Sequence, residues 1–259
     1  MPFAELGDAR IHYRLEGPEA APVVVFSNSL GADYAMWNPQ AASLADKFRI
    51  LRYDTRGHGQ SSLTRGPYSI DQLAKDAVNL LDSLDLARVH FCGLSMGGMI
   101  GMWLGIHVPE RVDKLILCST AEKIGTAEMW NTRIVTVNKE GMKPVAAAAI
   151  ERWFTAGFRE RDPATVAATK KVLEETKPEG YAACCAAVRD FDLRGKVSGI
   201  RVPTLAIAGS HDPATPPADL RSLAEHISGA RYAEISGAHL CNIEDAGHFT
   251  AEVNAFLEV

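Results

Sequence analysis

Cysteine is scarce and unpaired in this chain: five residues, an odd number, with Cys184 and Cys185 adjacent. That pattern offers no disulfide framework. Neither C-x-x-C nor H-E-x-x-H occurs, so no metal site is expected. A basic surplus is missing too. The formal net charge is −5, which leaves no electrostatic footprint for nucleic acid. No apolar run approaches the roughly 20 residues that cross a bilayer. Met1-Pro2-Phe3-Ala4-Glu5 lacks the basic head and apolar stretch of a secretory signal. These absences point to the bacterial-type cytoplasm or an equivalent reducing compartment, with no membrane partner. Repeats, low-complexity linkers and long like-charge runs are also missing.

What is present suits a globular enzyme. With 259 residues, 47% of them hydrophobic, the chain can build one large α/β domain carrying an inserted subdomain. Ile11, Tyr13 and Leu15 alternate with polar neighbours, as in a half-buried antiparallel strand. Short β-branched runs follow at Val23–Phe26, Phe48–Leu51, Val89–Phe91, Leu115–Leu117 and Thr204–Ile207, with an edge strand expected over Arg231–Ile235. Continuous apolar runs belong to a mainly parallel sheet. Helical spacing between them, as at Leu73, Ala77, Leu80, Leu81 and Leu84, predicts an open doubly wound sheet with its site at the strands' carboxyl ends. Residues 122–189 show helical segments and no strand, with Pro144, Pro163 and Pro178 near helix starts. This stretch reads as a helical cap inserted into a catalytic domain of residues 1–121 and 190–259.

Gly93-Leu94-Ser95-Met96-Gly97 lies between a predicted strand and a helix predicted over Met99–His107. G-x-S-x-G in that context is a nucleophile elbow. It exposes one hydroxyl at a helix N-terminus, where developing negative charge is favoured. The Met96 amide would donate to an oxyanion. A serine needs a base and a group to orient it. Asp212 and His239 each follow a predicted strand, in the chain order acid then histidine. His248 falls inside the predicted last helix, and His211 precedes the bend at Asp212. His58 is expected to shape the loop beneath the pocket without transferring protons, and Asp54 to anchor that loop. A second oxyanion donor is expected after the strand Val23–Phe26, at the Leu30 amide of Ser27-Asn28-Ser29-Leu30-Gly31.

These stretches, with Tyr53–Ser62, Asp212–Pro217 and Ala238-His239-Leu240 followed by Asn242-Ile243-Glu244, make the chain resemble the α/β-hydrolase superfamily. Within it, the chain is similar to 3-oxoadipate enol-lactonases. It departs at Gly237, where alanine is common, and at Cys241, where serine is common. The resemblance implies the α/β-hydrolase fold with a helical cap. It also implies hydrolysis of 3-oxoadipate enol-lactone to 3-oxoadipate, a step in breakdown of protocatechuate and catechol, with no cofactor. That substrate is an anion. Residues 122–190 carry eleven Lys and Arg against ten Asp and Glu, a net +1 that leaves −6 for the rest. In this stretch Trp130 and Arg133 share a helix face. Arg133 is expected to face the carboxylate, with Trp130, Trp153 and Trp37 forming an apolar wall. The same scaffold also serves small-ester carboxylesterases, carbon–carbon bond hydrolases, cofactor-free perhydrolases and ligand-binding receptors. The cysteines read as small inert hydrophobes.

Overall fold

The β-branched runs pair into one eight-stranded sheet in a computed structural model that describes residues 2–258. Its strands are β1 (Phe3–Leu6), β2 (Ala9–Glu16), β3 (Val23–Ser27), β4 (Arg49–Tyr53), β5 (Val89–Leu94), β6 (Val112–Cys118), β7 (Thr204–Gly209) and β8 (Arg231–Ile235). They lie in the order β1-β2-β4-β3-β5-β6-β7-β8. The pairs β1–β2 and β2–β4 are antiparallel; the others are parallel. Every residue of β5 and β7 is buried, as parallel strands between helix layers must be. β8 is the partly exposed edge. β1 was not foreseen. Four residues alternating exposed and buried give too short a period to stand out before their partner strand is known.

The helices are α1 (Asn38–Leu44), α2 (Ile70–Ser83), α3 (Met96–His107), α4 (Ala127–Glu140), α5 (Met142–Trp153), α6 (Ala156–Arg161), α7 (Pro163–Glu175), α8 (Pro178–Asp190), α9 (Pro217–His226), α10 (Cys241–Glu244) and α11 (Ala246–Leu257). α2 buries the spaced residues Leu73, Ala77, Leu80 and Leu81, and the Ser69 hydroxyl caps it by accepting from the Gln72 amide. α3 starts three residues before the predicted Met99, because the elbow itself forms its first turn. α3 packs against β5 and β6. No strand occurs between β6 and β7 among the described residues; α4 to α8 fill that stretch. There α4 packs on α8, and α5 on α7. No described helix is long and apolar enough to cross a membrane.

Strand order positions the site. β3 lies between β4 and β5, so the chain leaves β3 to one side and returns on the other. The crevice at such a reversal, beyond the carboxyl ends of the strands, is where open α/β sheets bind ligands. The loop after β3 and the elbow after β5 border it.

Candidate active site

β5 runs into α3 through a reversal that holds Ser95 at φ 58°, ψ −113°. Such a conformation costs a non-glycine residue of order 1–3 kcal/mol and persists only when its surroundings enforce it. Here the Ser95 amide donates to the Cys118 carbonyl at 2.9 Å. The Ser95 carbonyl accepts from the Thr120 hydroxyl at 2.9 Å and from the Met99 amide at 3.1 Å. The flanking glycines are steric necessities. A Cβ on Gly93 would lie 2.1 Å from the Gly97 oxygen, and one on Gly97 would lie 2.2 Å from the Ser27 oxygen. That close approach lets the Gly97 amide donate to the Asn28 carbonyl at 3.0 Å, tying the elbow to the loop after β3.

That loop is fixed amide by amide. Ser29 N–H points at the Met36 sulfur at 3.4 Å, Gly31 N–H donates to His58 Nε2 at 2.9 Å, and Ala32 N–H donates to the Ser29 carbonyl at 3.1 Å. The Asn28 side chain donates to the Tyr53 carbonyl at 2.8 Å. Among the described residues, the amides of Leu30 and Met96 have no hydrogen-bond acceptor. Buried backbone donors are rarely left so, and Leu30 lines the same cavity as Ser95.

Asp212 and His239 lie on the loops after β7 and β8. The Asp212 carboxylate accepts from the Ala214 and Thr215 amides at 2.7 and 3.1 Å and from the Thr215 hydroxyl at 2.7 Å. Its Oδ2 also lies 2.7 Å from His239 Nδ1. Burial by itself would raise the Asp212 carboxyl; the His239 ring and these hydrogen bonds outweigh it and hold the group below its usual value. Asp212 therefore stays ionised and places the His239 proton on Nδ1, leaving Nε2 free to accept.

Ser95 and His239 line one cavity of about 350 Å³, with Leu30, Trp130, Arg133, Arg152, Trp153 and Tyr181 among its other walls. Among the described residues, no carboxylate lines it. The Arg133 guanidinium lies 4.6 Å from the centre of the Trp130 ring, and the Trp130 indole donates to the Ile124 carbonyl at 2.7 Å. Arg152, half-buried, is held below the usual arginine value by burial and then by Arg133. Two arginines thus line one cavity and act on each other electrostatically. The sequence reading missed Arg152 and Tyr181. Arg152 adjoins Trp153, but nothing in spacing shows which side of α5 meets the cavity.

The expected pocket wall needs one correction. Trp37 is fully buried away from the cavity, its ring 4.8 Å from that of Phe26 and 6.0 Å from that of Phe249. It packs β3 against α11 because its large apolar surface gains more in the core. His211 sits with Ser210 and lines a different cavity, and His248 pairs with Asp245 at 2.8 Å on α11. Asp54 anchors its loop through His12, the Tyr34 amide and the Gln60 amide. Burial pushes the Cys185 thiol up to about 12 and Cys184 and Cys241 also well above their usual value, which keeps them unreactive. No group of three or more metal-capable side chains occurs among the described residues.

His58 holds the loop and does not line the cavity. Burial pushes its pKa down to about 4, so the ring is neutral and Nε2 can accept from Gly31. The group is depressed relative to an unfolded value of about 6.5. Its stabilisation is thus complete above that pH and lost as pH falls toward 4. Replacing His58 with alanine strands the Gly31 amide and is expected to cost about 2 kcal/mol at pH 7.5. That deficit should narrow at pH 5 when both proteins are compared by chemical denaturation. A deficit unchanged with pH would contradict the neutral buried ring.

The chain belongs to the family of the alpha/beta hydrolase fold, whose model matches residues 22–255. It is 42% identical to 3-oxoadipate enol-lactonase 2 of Acinetobacter baylyi, over 97% of this chain and 94% of that protein. It superimposes on the crystal structure of the enol-lactonase from Burkholderia xenovorans with a TM-score of 0.98, at 47% identity and full coverage of both chains. At 31% identity, over 92% of this chain and 91% of that protein, it also matches a putative carbamate hydrolase of Azorhizobium caulinodans.

Proposed function

We propose that this protein is a serine hydrolase that opens 3-oxoadipate enol-lactone to 3-oxoadipate, with Ser95, His239 and Asp212 as its triad. The observation that carries this reading is the cavity shared by Ser95, His239, Arg133 and Arg152 without an acidic side chain. An enol-lactone bearing a free carboxylate satisfies both halves. Its carbonyl meets the serine and its carboxylate meets the guanidinium groups. The likeness to enol-lactonases across the whole chain supports the same assignment. Residues 122–189 serve as a cap that contributes Trp130, Arg133, Arg152, Trp153 and Tyr181.

The steps follow from the residues. His239 Nε2 takes the Ser95 proton as Oγ attacks the lactone carbonyl, and Asp212 stabilises the imidazolium. The amides of Leu30 and Met96 receive the tetrahedral oxyanion. Collapse breaks the ring C–O bond. His239 returns the proton to the departing enol oxygen, and the enol ketonises. Water, deprotonated by His239, then releases the acyl group from Ser95.

Loss of ultraviolet absorbance from enzymatically generated enol-lactone, compared with turnover of a neutral chromogenic acetate ester, tests the assignment. Arg133→Ala should raise KM for the lactone by roughly 10-fold or more, the worth of a charge-assisted hydrogen bond, and KM for the ester by less than about 2-fold. Equal effects on both substrates would reject the carboxylate role. A far lower kcat/KM for the lactone than for the ester would reject the lactone itself.

A further inference from the structure

We propose that Glu244 is a positioning residue, whose carboxylate clamps the loop bearing His239 to the corner between α5 and α6. This rests on the reading of His239 as the general base. One Glu244 oxygen accepts from two amides, Ala238 N–H at 3.1 Å and Thr155 N–H at 3.1 Å. The other accepts from the Thr155 hydroxyl. Ala238 immediately precedes His239, and Thr155 caps α6 by accepting from the Phe158 amide. One side chain thus joins the histidine loop to the helical insertion, between residues 89 positions apart in the chain.

Backbone bonds complete the clamp. The Leu240 amide donates to the Trp153 carbonyl at 3.0 Å, and the His239 amide points at the Arg152 carbonyl at the longer distance of 3.4 Å. The histidine's own tether to α5 is therefore the weakest. The stronger bonds on either side are the shorter one from the Leu240 amide and those to the Glu244 carboxylate, a charged acceptor. The same α5 terminus presents the Arg152 and Trp153 side chains to the cavity. Glu244 thus holds the backbone that aims the base, while the Arg152 and Trp153 side chains are carried by α5 itself. Misplacing a base by about 1 Å costs up to about 100-fold in rate.

Steady-state kinetics on the enol-lactone and the neutral acetate ester test the proposal. Glu244→Ala should lower kcat by about 10-fold or more on both substrates, with KM changed by less than about 2-fold. Glu244→Gln, which keeps a carbonyl acceptor, should recover part of the loss. Thr155→Val, which leaves the carboxylate in place, should lower kcat in the same direction. The double variant with Glu244→Ala should be no slower than Glu244→Ala alone, since both break one linkage. A lowered melting temperature with wild-type kcat in Glu244→Gln and Thr155→Val would overturn the positioning role, as would additive losses in the double variant. Ser95→Ala run alongside separates the two readings. A loss below about 100-fold in Ser95→Ala would sink the serine mechanism itself; a larger loss there with turnover unchanged in the Glu244 variants would sink the clamp alone.

Discussion

Ser95→Ala is expected to lower kcat for the enol-lactone by on the order of a million-fold, the scale set by removing a nucleophile from a complete triad. The loss should appear in kcat and scarcely in KM. The guanidinium groups of Arg133 and Arg152 and the amides of Leu30 and Met96 are untouched by the change. Residual turnover above the uncatalysed reaction should remain for the same reason. Stability should hold, because alanine places the same Cβ at φ 58° and keeps every backbone hydrogen bond of the elbow. Measured kcat with an unchanged denaturation midpoint would therefore isolate the hydroxyl. A loss below about 100-fold would mean that another group attacks the lactone.

Asp212→Asn is expected to cost about ten-thousand-fold in kcat, the loss that follows when the base is locked in the wrong tautomer. The asparagine oxygen would keep accepting from the Ala214 and Thr215 amides, which hold Oδ1 at 2.7 and 3.1 Å. Its NH2 group would then occupy the place of Oδ2, facing His239 Nδ1. A donor there forces Nδ1 to accept and moves the ring proton to Nε2, leaving no lone pair for the Ser95 proton. The Thr215 hydroxyl, now bonded to Oδ2 at 2.7 Å and 3.4 Å from His239 Nδ1, would reverse its donor role at little cost. The fold should persist while catalysis fails. If Asp212→Asn kept more than about one per cent of wild-type kcat, the carboxylate would not be orienting the base.

The parts legible in the sequence were those where chemistry demands a residue type at a fixed place along the chain. The elbow needs two glycines around a serine, and the Cβ clashes at Gly93 and Gly97 show why no other residue fits. Asp212 and His239 lie on the loops after β7 and β8, as their place after predicted strands implied, because the carboxyl ends of parallel strands face the crevice. What depended on three-dimensional packing was not legible. Arg152 and Tyr181 reach the cavity through the way α4, α5 and α8 lean together, and Glu244 clamps a corner 89 residues away. Trp37 was misplaced for a related reason. A tryptophan near the loop after β3 can face substrate or core, and only Phe26 and Phe249 decide which. The short strand β1 carried no period of its own.

Covalent labelling with a fluorophosphonate, in the presence and absence of the enol-lactone, tests the serine mechanism most directly. The account predicts one adduct, on the peptide containing Ser95, formed more slowly as the lactone concentration rises, with lactone hydrolysis lost in proportion to labelling. Fully labelled protein that still hydrolysed the lactone at the unlabelled rate would contradict it.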